Sequence, residues 1–164
     1  MIAALVRRTY LWVMTDRPDI LRIALAQLNP TVGDVEGNLA KARKARAEAT
    51  AAKADLILFT ELFVSGYPPE DLVLKPSFVR ACMEAVEEFA NDTKDDGPGV
   101  LIGCPYRDEE GLFNAVALLD GGQLISWRKK VDLPNYGVFD EKRVFDQGPM
   151  PGPVNFRGVR IGVP

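Results

Sequence analysis

The chain has 164 residues, of which 47% are hydrophobic, so it is long enough to form one domain with a substantial core. Its 20 basic and 23 acidic side chains are interspersed and give a net charge of -3, which argues against binding to nucleic acid or to an anionic membrane. The sequence has no histidine, which excludes Ser-His-Asp and Cys-His catalysis and histidine-containing zinc sites within it.

The N-terminal segment does not have the pattern of a leader or a membrane span. Residues 1–13, MIAALVRRTYLWV, place two arginines between apolar runs that are too short to cross a bilayer, and no clear small-residue cleavage site follows. We expect residues 1–20 to be an extension that is disordered or lies upstream of the true start. The folded part is then predicted to cover residues 21–164.

The first half of the folded part alternates between strand and helix patterns. The apolar run LRIALAQLN (21–29) predicts a strand, and an alanine-rich segment from a predicted N-cap at Asp34 predicts a helix over 34–54. A second apolar run, DLILFTE (55–61), is typical of a strand covered on both faces, and Glu61 stands at its carboxyl end.

The second half contains one more helix and mostly antiparallel strands. A helical turn over 69–75 and a helix over 76–92 precede a predicted strand at 99–107. Residues 112–131 have the pattern of a hairpin that turns at 120–122, and 154–164 predict two further short strands. This order predicts an α/β domain with a mixed sheet.

Two polar residues lie at predicted strand ends, where the functional groups of α/β proteins gather. Glu61 ends the second strand and Lys130 ends the hairpin. Two simpler interpretations remain open: Glu61 accepts hydrogen bonds from its own turn, and Lys130 is an exposed lysine. Position alone does not decide between these interpretations and a catalytic pair.

Three segments carry a resemblance that does favour catalysis. They are RIALAQLNPTVGDVEGN (22–38), FTELFVSGYPPEDLVLKPSF (59–78) and KVDLPNYGVFDEKRVFDQGPMPGPVNFRGVRIGVP (130–164). Together they resemble the nitrilase superfamily of carbon-nitrogen hydrolases, and within it the glutaminase domains of glutamine-dependent NAD synthetases. The resemblance implies a nitrilase-like α-β-β-α sandwich, incomplete in this chain.

The same resemblance implies roles for named residues. Enzymes of this family use a glutamate, a lysine and a cysteine, and the motifs place the general base at Glu61 and the catalytic lysine at Lys130. We expect Glu61 to be buried. Tyr67, Tyr136 and Phe139 would line a pocket for L-glutamine, and Glu141 would orient Lys130 or the substrate amine.

The resemblance also implies what this chain lacks. The family's nucleophilic cysteine follows the strand matched by GVRIGVP, so we expect it beyond Pro164 and expect this chain alone to be inactive. Cys82 and Cys104 match no nucleophile position; we predict that both are buried packing residues, and two lone cysteines fit a reducing cytoplasm.

The expected function is that of the glutaminase part of a glutamine-hydrolysing NAD synthetase. It would release ammonia from L-glutamine through a thioester, for the ATP-dependent amidation of deamido-NAD in a second domain. The sequence has no GxGxxG or Walker pattern, so ATP and Mg²⁺ are expected in that other domain and no cofactor in this segment. The resemblance also implies a homo-oligomer.

Two other functions remain open from the sequence. The first is a stand-alone nitrilase-family enzyme that acts on an amide, a nitrile or a carbamoyl compound. The second is a catalytically inactive nitrilase-like module that serves as a docking surface. Glu61 and Lys130 favour an enzyme over the docking module.

Overall fold

A five-stranded mixed sheet forms the centre of the protein. The computed structural model describes residues 20–137, 139–150 and 152–163, so the extension predicted at the N-terminus lies outside the described residues except for Ile20. Neighbouring strands follow chain order; the first three are parallel, and the last two add antiparallel pairs. The strands are β1 (Ile23–Ala26), β2 (Leu56–Phe59), β3 (Gly99–Arg107), β4 (Leu112–Asp120) and β5 (Gln123–Lys129).

Two helices, α1 (Val35–Ala51) and α2 (Pro76–Ala90), cover one face of this sheet. Helix α1 begins after Asp34, whose Oδ1 accepts a hydrogen bond from the Gly37 N–H at 3.0 Å, as predicted for the N-cap. Helix α2 has its proline in the first turn, where the missing N–H costs no helical hydrogen bond. Apolar side chains of both helices are buried against the sheet. They include Leu39, Ala42, Cys82, Val86 and Phe89. Full burial of one large apolar side chain stabilises a fold by about 1.5–3 kcal/mol.

The opposite face of the sheet is covered only in part. A hairpin of β6 (Val154–Phe156) and β7 (Val159–Ile161) packs Val154 and Phe156 over the middle strands. Nearer the first edge, Ile23 and Leu25 of β1 remain 49% and 67% exposed, although both are large apolar residues. This face is therefore the less protected side of the sheet.

A one-residue bulge interrupts the pairing of β4 with β5. Leu119 pairs with Leu124 but Leu118 pairs with Ser126, so Ile125 has no partner on β4. Beyond the bulge the ladder continues regularly as far as Ala115 and Lys129.

Most elements predicted from the sequence are confirmed. The mixed sheet, both helices, the hairpin turn and the two final strands all occur, with ends that move by a few residues. Cys82 and Cys104 are fully buried free thiols, as predicted. Within the described ranges, no helix has the length and apolar character needed to cross a membrane.

Candidate active site

The candidate site lies at the edge of the sheet where β2, β3 and β5 all end. Strand β5 runs in the same direction as β2 because two antiparallel steps separate it from β3. Glu61 follows β2 by two residues and Lys130 directly follows β5, so the fold brings them to one place. Lys130 Nζ donates a hydrogen bond to Glu61 Oε1 at 2.6 Å.

A tight turn after β2 fixes the position of Glu61. Leu62 has a φ of 48°, in the left-handed region, and the Val64 N–H donates to the Gly103 carbonyl of β3 at 3.1 Å. The turn crosses β3 so closely that a Cβ at Gly103 would lie 2.6 Å from the Thr60 carbonyl oxygen and 2.8 Å from the Glu61 carbonyl carbon. Glycine at position 103 therefore permits this approach.

A buried amide in α1 supports the same turn from the helix side. The Nδ2 of Asn38 donates to the carbonyl oxygens of Thr31 and Val64, at 2.8 and 3.1 Å, and its Oδ1 accepts from the Thr31 N–H at 2.7 Å. Asn38 is completely buried, so each of these bonds offsets the cost of removing a polar group from water. No pattern in the sequence marks this residue as a support of the turn.

Lys130 extends the β5 ladder by one residue. Its N–H donates to the Asn114 carbonyl of β4 at 2.8 Å, and its carbonyl accepts from the Gly148 N–H at 2.8 Å. Burial disfavours the ammonium, but hydrogen bonds to Glu61 and Glu141 outweigh it and raise the pKa of Lys130. The side chain thus carries a positive charge at neutral pH.

Glu141 is the second carboxylate in contact with Lys130. It begins a 3-10 turn (Glu141–Arg143), and the ammonium donates to both of its carboxylate oxygens at 3.0 Å. The Glu141 side chain is only 8% exposed. Burial raises its pKa; the hydrogen bond from Lys130 opposes this effect and the nearby charge of Glu61 adds to it.

An arginine holds the 3-10 turn against the loop that follows Glu61. Arg143 pairs with Asp71 at 2.5 Å, with Glu70 at 3.2 Å and with Asp140 at 2.9 Å. Glu70 and Asp71 belong to the 3-10 segment Glu70–Leu74. The arginine thereby connects two segments that border the site.

Glu61 is more exposed than the resemblance led us to expect. Its side chain is 42% exposed, so the expectation of a buried carboxylate is wrong for this chain. The reason is that Glu61 and Lys130 border a cavity of about 240 Å³ on the incompletely covered face of the sheet. Leu58, Val116 and Val163 supply apolar parts of its wall.

The three aromatic residues proposed for a substrate pocket do not all occupy one cavity. Tyr67 and Phe139 line a cavity of about 130 Å³ together with Glu141. Burial raises the pKa of Tyr67, and the charges of Glu61 and Glu141 raise it further. Tyr136 is 71% exposed and lines a different, wider cavity, although its ring packs edge-on against Phe139 with centroids 5.8 Å apart.

The structure adds a residue to the site that the sequence analysis missed. Asn114 of β4 is 3% exposed, and its Nδ2 donates a short hydrogen bond to Glu61 Oε1. The available signal was a lone amide within the apolar run LFNAVALL. A buried polar residue in such a strand needs a partner, and here the partner is the candidate base.

The described cysteines lie away from this chemistry. Cys82 and Cys104 both belong to the core between the helices and the sheet. Burial raises the pKa of Cys82 to about 12 and that of Cys104 well above its ordinary value, which disfavours the reactive thiolate. Among the described residues, no three acidic or cysteine side chains come together as a metal site.

This chain is similar to known proteins over most of its length. The carbon-nitrogen hydrolase family model matches residues 22–163. A glutamine-dependent NAD(+) synthetase of Rhodobacter capsulatus is 48% identical over 151 residues, which are 92% of this chain and 27% of that protein. This chain therefore spans about a quarter of the length of the curated relatives it matches.

Solved structures of two enzymes are also similar to this chain. A glutamine-dependent NAD+ synthetase from Acinetobacter baumannii, in complex with ADP, has a TM-score of 0.78 and 34% identity; the match covers 85% of this chain and 26% of that one. An amidase from Nesterenkonia sp., as a glutamate-to-glutamine variant with acrylamide added at its active-site cysteine, has a TM-score of 0.71 and 27% identity. That match covers 86% of this chain and 55% of the amidase.

Proposed function

The chain belongs to the carbon-nitrogen hydrolase family, and we propose that it is part of the glutaminase domain of a glutamine-dependent NAD synthetase. The observation that carries the proposal is the contact of Lys130 Nζ with both Glu61 and Glu141. Further support comes from the 48% identity to the Rhodobacter capsulatus enzyme. The proposed reaction converts L-glutamine and water to L-glutamate and ammonia.

In this proposal Glu61 moves the protons. It takes the proton from a cysteine thiol as the sulfur attacks the carboxamide carbon of glutamine, and gives that proton to the nitrogen as the C–N bond breaks. Ammonia leaves and a thioester remains. Glu61 then takes a proton from the water that attacks the thioester, and returns it to the sulfur as glutamate departs.

Lys130 acts by charge in the same cycle. Attack on the carbonyl moves negative charge to its oxygen, and an ammonium held in place by two carboxylates can stabilise that charge without reorganising. The raised pKa of Lys130 keeps it protonated for this role. Glu141 would keep the ammonium in place, which is the first of the two roles considered for it from the sequence.

Two aromatic residues would bound the substrate pocket on the side of Glu141, in a cavity separate from the one that Glu61 and Lys130 border. Tyr67 and Phe139 lie beside Glu141, 39% and 38% exposed, and could contact the carbon chain of glutamine. Tyr136 could contribute only at the rim, because its ring is the most exposed of the three. Pockets for small polar substrates commonly combine such apolar walls with a few charged groups.

The nucleophile in this proposal is neither Cys82 nor Cys104. Both are fully buried, and burial raises the pKa of each thiol. Following the family pattern, we place the nucleophile beyond Pro164; Val163 lines the cavity beside Glu61 and Lys130. ATP, Mg²⁺ and deamido-NAD would bind outside the described residues.

A second candidate is a stand-alone amidase. The structural match to the Nesterenkonia amidase, which covers 55% of that protein, favours this class. The two candidates differ in substrate: a glutaminase domain should prefer L-glutamine to simple amides such as butyramide. They also differ in whether the ammonia is used to amidate deamido-NAD.

The test uses the protein encoded by the complete reading frame, sequenced through the codon for Pro164 and beyond. We expect an in-frame cysteine shortly after that codon, ammonia release from L-glutamine, and amidation of deamido-NAD when ATP is present. Preference for butyramide would replace the proposal with the amidase. A folded protein that releases ammonia from neither substrate would overturn both and favour the docking module.

A further inference from the structure

Asn114 contacts both members of the proposed catalytic pair. Its Nδ2 donates to Glu61 Oε1, the same oxygen that Lys130 Nζ contacts at 2.6 Å. Its backbone carbonyl oxygen accepts a hydrogen bond from the backbone N–H of Lys130 at 2.8 Å. One strand residue thus fixes the side chain of the carboxylate and the backbone of the lysine.

The fold alone does not account for this arrangement. Asn114 is 3% exposed and stands in an apolar strand, where an alanine or valine would bury no amide at all. Its partner Glu61 is 42% exposed and could satisfy its oxygens with water. The contact therefore restrains Glu61 more than it serves the packing of β4.

The two oxygens of Glu61 consequently differ. Oε1 accepts hydrogen bonds from Asn114 and Lys130, whereas no N–H or hydroxyl of the described residues donates to Oε2. The other titratable groups beside this carboxylate are Glu141, whose carboxyl also interacts with that of Glu61, and Tyr67. An oxygen with two donors is a poor proton acceptor, so Oε2 is the better base.

We propose that Asn114 is a positioning residue that holds Glu61 Oε1 towards Lys130, so that Oε2 alone exchanges the proton with the nucleophile and the leaving ammonia. The proposal rests on the proposed function, since it assigns an atom within that reaction. Asn114 itself touches no reacting atom in it. Without the amide, the carboxylate could rotate and lose its alignment with the substrate.

The test compares Asn114→Ala and Asn114→Asp in the protein from the complete reading frame. Ser126→Ala on β5 is the matched control, because its hydroxyl is buried without a partner in the described residues and contacts neither Glu61 nor Lys130. We expect kcat to fall roughly 10- to 100-fold in both Asn114 variants, with KM changed less than about threefold. Ser126→Ala should keep both constants.

A comparison of kcat with thermal stability separates positioning from mere packing. Positioning predicts that kcat falls in both Asn114 variants at temperatures well below their unfolding midpoints, with KM nearly unchanged. Rates that fall only in proportion to thermal stability would overturn the proposal.

A measurement that needs no substrate tests the positioning role of Asn114 independently of the proposed function. The side-chain carboxyl carbon of Glu61 can be followed by NMR in ¹³C-glutamate-labelled protein, with Asn114→Asp as the nearly isosteric variant if Asn114→Ala does not fold. A change in its resonance at a fixed pH is expected even if glutamine is not the substrate. No change would overturn the positioning role whatever the activity.

Discussion

Lys130 Nζ lies 2.6 Å from Glu61 Oε1 although 69 residues separate them in the chain. Neither residue belongs to a strand; each follows one at the same edge of the sheet. Their contact therefore depends on the strand order and on the turn after β2, and both can be tested by substitution.

The first prediction concerns Glu61→Gln in the protein from the complete reading frame. The amide keeps the shape but cannot take a proton, so glutamine-dependent ammonia release should fall by about 100- to 10,000-fold. The measurement is steady-state ammonia production, with circular dichroism to verify folding. An unchanged rate would refute the mechanism.

Lys130 and its neighbour Lys129 form a natural pair of test and control. Lys129 contacts Asp108 and Glu110 instead of the site. Lys130→Ala should abolish thioester formation and largely retain glutamine binding, because the charge acts on the transition state. Lys129→Ala should change the rate less than about threefold, because the ion pairs of Lys129 with Asp108 and Glu110 involve neither Glu61 nor Glu141.

Trapping of the acyl-enzyme by mass spectrometry and calorimetric titration with glutamine separate the two steps. If Lys130→Ala loses binding alone and still forms the thioester, the lysine is a pocket residue. If both lysine variants behave alike, the contact with Glu61 has no catalytic meaning.

A third prediction concerns the glycine under the Glu61 turn. An added Cβ at Gly103 would meet the backbone of residues 60–62, so Gly103→Ala must displace the turn. We expect a loss of about 1–3 kcal/mol in the free energy of unfolding and a lower kcat. Gly152→Ala is the control, since a Cβ there meets nothing within 4 Å.

Urea unfolding and ammonia release measure the two effects of Gly103→Ala. Crystal structures of the variant and the parent would locate Glu61. The explanation by close approach fails if Gly103→Ala is as stable and active as Gly152→Ala.

Stability should fall in alkali because of Cys82. Its pKa is about 12 in the folded chain against an ordinary 9.0, so the folded state keeps the thiol proton to a higher pH than the unfolded state. The contribution is complete below pH 9 and is lost towards pH 12, at about 1.4 kcal/mol per pH unit. Cys82→Ala should show a shallower decline in urea unfolding.

Cysteine labelling gives an independent check of the same burial. A thiol reagent should modify neither Cys82 nor Cys104 in the folded chain at neutral pH, and both after unfolding. Rapid labelling of the native chain, or equal alkaline slopes for Cys82→Ala and the parent, would contradict the prediction.

Glu141 should affect stability over a different pH range. Its folded pKa is raised, so the folded state holds this proton more tightly, and the favourable contribution at low pH is lost as pH rises through the raised value. The parent should therefore lose stability relative to Glu141→Gln as the pH rises above the ordinary titration range of a glutamate. A difference in urea unfolding that stays constant over this rise in pH would contradict this sign.

Much of the fold could be predicted because local patterns are strong here. The apolar run 55–61 and the glycine pair at 121–122 indicate a buried strand and a hairpin without tertiary information. Functional groups of α/β proteins gather at strand ends, and this rule identifies Glu61 and Lys130 as candidates from the sequence.

The remaining features depend on contacts that local patterns do not encode. The exposure of Glu61 results from how far the β6–β7 hairpin covers the sheet. The role of Asn114 depends on which residue after β2 lies within reach of its amide, and Tyr136 is 71% exposed whereas Phe139, three residues later, is 38% exposed. Such features require three-dimensional packing to be known.

The bulge at Ile125 decides which of two adjacent lysines faces the carboxylates. Had the ladder continued regularly from the pair Leu119–Leu124, Lys129 would stand opposite Asn114, and Lys130 would point to the other side of the sheet. Which of the two lysines faces the site thus depends on the register of β5 against β4, and the one extra residue of the bulge sets that register. A single insertion between Ile125 and Lys129, conservative in every other respect, would place Lys129 opposite Asn114 in place of Lys130.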